Sequence, residues 1–110
     1  MNSRFANQPG LGESSMIDWP FVDPENTATI TVRKIMSGET WISFVSHDAD
    51  DGCWQFMPPE PPQQEEAIVV ALREIVTHDS SLRELGDLPL GWCAWRNSPN
   101  DAWQRAPASA

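Results

Sequence analysis

Apolar and polar residues alternate at the spacing of two expected of strands in several short stretches, and group at helical spacing in one longer stretch. Thr27 to Met36 is β-branched, with Ala28, Ile30 and Val32 on one face of an extended segment and Thr27, Thr29, Thr31 and Arg33 on the other. Ser37-Gly38-Glu39 supplies a turn. Thr40 to His47 predicts a second strand, with Ile42 and Phe44 on one face and Trp41, Ser43 and Val45 on the other. A tight hairpin between these two strands fits the spacing. The polar loop His47-Asp48-Ala49-Asp50-Asp51-Gly52 then leads into a short strand from Cys53 to Met57, where Trp54 and Phe56 point the same way. Pro58, Pro59, Pro61 and Pro62 end that segment, because proline cannot donate to a ladder. From about Gln63 to Val76 the residues Ile68, Leu72 and Ile75, with Val69 and Val76, form a stripe that predicts a helix. Glu65 and Glu66 suit the positive end of its dipole. Asp79 or Ser81 caps a second, short helix near Ser80 to Leu85, Ser81 and Glu84 have capping-box spacing, and Gly86 is its stop. Leu90 to Arg96 predicts a last strand in which Trp92 and Ala94 oppose Cys93 and Trp95.

This order predicts an α+β fold: a mainly antiparallel sheet of about four strands, with one longer and one short helix packed on one face. Residues 1–17 read as a flexible arm, 18–105 as a single domain and 106–110 as a frayed tail. Between arm and domain, Asp18-Trp19-Pro20-Phe21-Val22-Asp23-Pro24 pairs aromatics with prolines that fix φ, so it predicts an ordered lead-in laying Trp19 and Phe21 on the core edge. Trp103 is expected to pack before the tail.

Composition sharpens this picture mainly through charge. The 110 residues carry 16 Asp and Glu against 7 Lys and Arg, a net charge of −9. So acidic a chain does not grip a nucleic-acid backbone over a wide surface, which needs a basic stripe, and it is not drawn to anionic lipid. No apolar run reaches the ~20 residues of a membrane span, and the N-terminal residues lack the apolar stretch of a signal peptide. With Cys53 and Cys93 read as free thiols, these features predict a cytoplasmic protein. From Ile35 to Leu72 there is no Lys or Arg, while Glu39, Asp48, Asp50, Asp51, Glu60, Glu65 and Glu66 fall in that stretch. The plain reading is solubility; the sharper one is an electrostatic face for a basic partner. The chain also has 6 Trp, more than a small core easily encloses, and Trp is enriched at interface hot spots. Trp54 and Trp92 pattern as core, whereas Trp41 and Trp95 are expected to be the exposed pair.

The loop around Asp48, Asp50 and Asp51 is the most polar constellation. Carboxylates this dense suit a divalent cation, but the calcium-loop register fails: counting Asp48 as the first position, Gly52 comes one residue early and Pro59 stands where a Glu is required. The ordinary reading is a hairpin turn whose Asp side chains bond their own backbone. His47 and His78 are the general-base candidates besides carboxylates, and no nucleophile, zinc or phosphate-loop motif accompanies them. No cofactor and no metal are expected.

The residues Asp51-Gly52-Cys53-Trp54-Gln55-Phe56 resemble the turn and aromatic strand of a bacterial group of small domains, the DUF2185 or Imm33-like family. His78-Asp79-Ser80-Ser81-Leu82-Arg83-Glu84-Leu85 is similar to that group's helix start, and Gly91-Trp92-Cys93-Ala94-Trp95-Arg96 to its last strand. The resemblance spans about residues 28–105. It implies an α+β fold and, for part of the group, neutralisation of a toxin by direct binding; it brings no catalytic residues.

Together these readings predict an acidic protein-binding domain, not an enzyme, of the kind that inhibits a basic, nuclease-like toxin as an immunity protein does. The expected binding residues are Trp41, His47, Asp48, Asp50, Asp51, Trp54 and Trp95. Two alternatives stand beside it: a small, metal-assisted enzyme using His47 or His78 with Asp48, Asp50 and Asp51, and a domain that associates with itself through its Trp residues.

Overall fold

A computed structural model of the chain describes residues 19–61 and 64–108, so the arm expected at residues 1–17 lies outside the described residues. Its strands are β1 (Ala28–Val32), β2 (Phe44–His47), β3 (Trp54–Met57), β4 (Ala67–Ala71), β5 (Trp92–Trp95) and β6 (Gln104–Pro107). Helix α1 (Arg33–Met36) follows β1 directly and α2 (Leu72–His78) follows β4; tight 3-10 turns occupy Gln64–Glu66 and Ser80–Leu85. The strands form one sheet of six in the order β4-β1-β3-β2-β5-β6. β1 and β3 run parallel, and every other neighbouring pair is antiparallel.

The α+β class holds, but the expected sheet of about four antiparallel strands does not: the sheet has six strands and is mixed. The segment expected to be the N-terminal half of a helix is β4. Ile68, Val69 and Val70 are β-branched and stiff, and a continuous apolar run does not itself distinguish strand from helix. Pairing decides it, because Ala67–Ala71 aligns residue for residue with all of β1. The helix begins only at Leu72, and the predicted stripe survives there as the buried Leu72, Ile75 and Val76. The expected β1–β2 hairpin is also absent. Thr27–Met36 breaks into strand and helix at Arg33, and β3 inserts between β1 and β2. A parallel neighbour needs a crossover, here supplied by α1, residues 37–43 and the β2–β3 hairpin. β6 carries the ordered chain into the segment expected to fray, pairing with β5 along its whole length.

All the strands near the middle contribute to one buried face. Val45, Trp54, Phe56 and Ala94 lie on it and are covered by Leu72, Ile75, Val76, Leu82, Leu85, Leu88 and Phe21. Fully burying side chains of this size contributes about 1.5–3 kcal/mol each. On β1 the threonines face inward: Thr29 and Thr31 are wholly buried, and their hydroxyls donate to the carbonyls of Val70 and Phe56 at 2.9 Å. Satisfied in this way, a hydroxyl costs little to bury and leaves its methyl for packing. Ala28 and Ile30 therefore turn to the opposite face. There, by register, they join Phe44, Met57, Val69, Cys93 and Trp95, with Ser46 and Gln55 as polar interruptions and no charged strand residue.

The topology gives the sheet two distinct ends. The β2–β3 hairpin, the start of β1 and the start of β5 share one end. The opposite end holds α1, the proline segment after β3, the end of α2 and the loop between β5 and β6.

Candidate functional site

At the hairpin end, residues 48–53 close a tight turn. Gly52 donates to the Asp48 carbonyl at 2.9 Å and adopts φ 75°, where a side chain would be strained. The side chains of Asp48 and Asp51 accept from the backbone N–H of Asp50 and Cys53 at 3.2 and 2.9 Å. These are Asx turns, in which one oxygen of each carboxylate shapes the loop. Burial, then the charges of Asp51 and Asp48, push the Cys53 thiol up from its ordinary value, so it is a poor nucleophile at neutral pH. Both cysteines are free.

The lead-in crosses this same end. Phe21 is buried, with Trp19 packed beside it against the core, as expected. Phe21 meets the edge of Trp54 at 5.3 Å, and Trp54 stacks on His47, its cross-strand partner, with ring centroids 3.9 Å apart. The two indoles fix Asp23. Trp19 Nε1 donates to its backbone carbonyl and Trp54 Nε1 to its Oδ2, both at 2.8 Å. His47 Nδ1 donates to the Leu88 carbonyl at 2.8 Å, which places the proton on Nδ1 and leaves Nε2 without a partner among the described residues. Gly86 lies against Pro20 so closely that any Cβ would run into the Pro20 carbonyl. That contact holds residues 86–90 beside the lead-in.

Between lead-in, hairpin and residues 86–90 lies a cavity of about 450 Å³, lined by Val22, Asp23, His47, Gly52, Trp54, Gly86, Asp87, Leu88, Pro89 and Leu90. Its rim is apolar and open, with Val22 97% and Leu90 57% exposed. Asp87, also on the rim, pairs with Arg105 at 2.9 Å, and this hydrogen bond and the charge behind it hold the Asp87 carboxyl below its ordinary value. Walls of this kind with a few fixed polar groups are the usual form of a ligand or side-chain pocket.

A second charged cluster lies at the opposite end. Arg96 is 4% exposed, with its guanidinium over the rings of Trp103 at 4.2 Å and Trp41 at 5.8 Å. Its Nη2 donates to Asp79 Oδ2 at 2.6 Å, Nε to the Ile42 carbonyl at 2.9 Å, and Nη1 to Ser81 Oγ and the Pro99 carbonyl at 3.0 and 3.1 Å. Ser81 Oγ in turn donates to Asp79 Oδ1 at 2.7 Å and accepts from Trp103 Nε1 at 3.1 Å. Asp79 also caps the 3-10 turn through the Ser81 N–H.

Of the expected site residues, the structure brings together His47, Asp48, Asp50, Asp51 and Trp54 at the hairpin end. Trp54 is 2% exposed, so it forms the inner wall and is not a surface anchor. Trp41 and Trp95 sit at the other end, both half-buried: Trp41 beside Arg96, Trp95 across from Phe44 on the uncovered sheet face. The acidic stretch divides likewise. Glu39, Glu60 and Glu66 lie away from the hairpin, with Glu60 accepting from Thr40 and Glu66 paired to Lys34 at 3.7 Å. His78 is exposed at the end of α2, in a recess with Trp41 and Asp79, and does not meet His47. Among the described residues no group of three or more His, Cys, Asp or Glu side chains is placed to hold a metal ion, and no helix is long and apolar enough to cross a membrane.

The sequence reading missed Asp23, Leu88 and Leu90 as cavity residues, and Arg96 with Trp103 as a buried cluster. The lead-in was recognisable from its aromatics and prolines; that its Asp would receive the Trp54 indole was not. The chain matches no known protein-family model, no curated protein and no solved structure.

Proposed function

We propose that this chain is a cytoplasmic protein-binding domain that engages a basic partner through the hairpin end of its sheet. The observation that carries this reading is one juxtaposition: an open cavity with an apolar rim, Val22 and Leu90, beside carboxylates that lack a basic partner. Among the described residues Asp48, Asp50, Asp51 and Asp23 form no ion pair, unlike Asp87, Glu25, Glu66 and Asp79. Exposed aliphatics supply contact area, and unpaired carboxylates supply steering and selectivity for Lys and Arg. Trp41 and Trp95 are not part of this surface. The resemblance to immunity domains extends the proposal to a partner class: a nuclease-type toxin, whose substrate cleft is lined with the basic residues that bind phosphate. Three Asp on one rigid turn would meet such a cleft as a mimic of successive phosphates.

Capture of proteins from the source cell on the immobilised 110-residue chain tests this. A basic protein is expected, with association slowed about tenfold or more by the combined Asp48→Asn, Asp50→Asn and Asp51→Asn changes and weakened by added salt. A captured partner indifferent to both the triple change and salt, or an acidic one, overturns the reading.

A further inference from the structure

We propose that the cavity at the hairpin end receives a primary ammonium group on an aliphatic stem, the end of a lysine side chain, with Asp23 as its counter-ion. This deepens the reading above by naming what the basic partner inserts, and it rests on that reading for the partner though not for the pocket.

Hydrogen-bond accounting leads to the charge of the occupant. Asp23 is held in place by the Trp54 indole on Oδ2, while Oδ1 has no donor among the described residues. The side-chain donors nearby are already used. Trp54 Nε1–H goes to Asp23, and His47 Nδ1–H goes to the Leu88 carbonyl. Of the backbone donors in the lining, Gly52 N–H bonds Asp48, Gly86 N–H bonds Arg83 and Leu88 N–H bonds Leu85, while those of Val22, Asp23 and Leu90 have no acceptor among the described residues. Pro89 has none to offer. Among the lining side chains, what remains is accepting capacity: Asp23 Oδ1 and, in the neutral ring, His47 Nε2 have no partner among the described residues. The uncompensated charge of the lining is therefore the Asp23 carboxylate, since Asp87 is paired with Arg105, and it favours a donor carrying positive charge over a carboxylate or phosphate.

Geometry selects ammonium over guanidinium. Arginine binds a carboxylate best by two parallel bonds to both oxygens, and the Trp54 indole already competes for one of them. A lysine ammonium is a point charge and needs only the oxygen left over. Its stem has matching walls in Val22, Leu88 and Leu90; Leu90 reaches over Gly52, 3.9 Å from where a Cβ would stand there. Lysine stems commonly lie along aliphatic surface with the charged head placed beyond it. The face of Trp54 is not available for a cation to stack on, since His47 covers it and the residue is 2% exposed. The attraction therefore falls on Asp23. The cavity, about 450 Å³, is larger than one such side chain and leaves room for a neighbouring apolar residue of the same partner.

Titrating the full chain with N-acetyl-lysine methylamide tests this, followed by the indole N–H resonances of Trp19 and Trp54, both of which report on Asp23. Saturable shifts of these signals are expected. N-acetyl-norleucine methylamide, with the same stem length and no charge, should bind at least tenfold more weakly, and the arginine analogue several-fold more weakly. Asp23→Asn keeps an acceptor for the Trp54 indole and removes the charge, so it should weaken lysine-analogue binding at least tenfold. Should Asp23→Asn fail to fold, Leu90→Asn opens the wall without touching the Asp23 network and is expected to weaken binding several-fold. Equal binding of the norleucine and lysine analogues, an unchanged affinity in the substituted chain, or no shift at all overturns the proposal. Shifts with the lysine analogue but no basic protein captured leave the pocket standing and remove the partner reading. A basic partner captured through the Asp loop with no response to the analogue does the reverse.

Discussion

The two ends of the sheet each set an aromatic cluster against a charge, and they use it differently. At the end away from the hairpin, Arg96 lies over Trp103 and Trp41, and each of its nitrogens has an acceptor in Asp79, Ser81, Ile42 or Pro99. At the hairpin end, Asp23 receives one indole and, among the described residues, keeps an oxygen unpartnered beside a cavity, and His47 keeps a ring nitrogen in the same condition. The first arrangement is closed: the guanidinium is 4% exposed, its charge is matched by Asp79, and all three of its nitrogens are engaged. The second is open, with its geometry set by the protein and its charge uncompensated. Both contain tryptophan and a charged residue, so composition does not separate scaffold from site. Unused hydrogen-bonding capacity facing a void does.

The largest expected effect breaks the closed cluster. Asp79→Ala removes the counter-ion of a guanidinium that is 4% exposed, together with the cap of the 3-10 turn. Stranding a buried charge costs about 3–5 kcal/mol, so the urea midpoint should fall sharply. Asp23→Asn, which leaves its indole bond in place at a half-buried site, should cost less than about 1 kcal/mol. If the two substitutions proved equally destabilising in urea, the distinction between closed and open would be wrong.

An intermediate effect is expected where residues 86–90 are braced against the lead-in. Gly86→Ala puts a methyl group into the Pro20 carbonyl, a contact with backbone that no rotamer relieves. Overpacking of this kind costs about 1–3 kcal/mol. The shift should appear in the Trp19 and Trp54 indole resonances and leave the Trp103 indole, at the closed end, unmoved. Movement of the Trp103 signal by a similar amount would show that the two ends are not independent.

What the sequence made legible follows from how local each feature is. The Asp48–Gly52 turn and the alternation of Trp54 and Phe56 are each set within a few residues, and each was readable; the cap was narrowed to Asp79 or Ser81, and it is Asp79. β4 was not, because Ala67–Ala71 forms a strand only by finding β1, about forty residues away along the chain. β6 was not, because Gln-Arg-Ala-Pro carries almost no strand preference and is extended only by its pairing to β5. The buried face of β1 was misleading because Thr29 and Thr31 bury their hydroxyls against carbonyls of neighbouring strands, which no period of apolar residues records. The site divides on the same line. His47 and the Asp loop stand out as a polar run, whereas the cavity is assembled from three segments far apart in sequence, and its counter-ion is marked only by an indole that reaches it from β3.

The smallest expected effect is at the rim, where Asp87 and Arg105 form the one ion pair beside the cavity among the described residues. The Arg105 hydrogen bond lowers the Asp87 carboxyl below its ordinary 3.8 in the folded chain. A carboxylate depressed by folding adds stability above its unfolded value and loses it as pH falls through its folded value. The sign is therefore fixed: Asp87→Asn should narrow the thermal stability difference between near-neutral and strongly acidic pH, with the two proteins converging once Asp87 of the parent chain is protonated in both its folded and unfolded states. Because Asp87 is fully exposed, the pair is screened by solvent, and added salt should shrink the difference further. Arg105→Gln should reproduce the same acid limb, since it removes the other half of the pair. A stability gap that persisted undiminished at acid pH would place the Asp87 contribution in packing of the 86–90 segment, and the rim would then belong with the closed end.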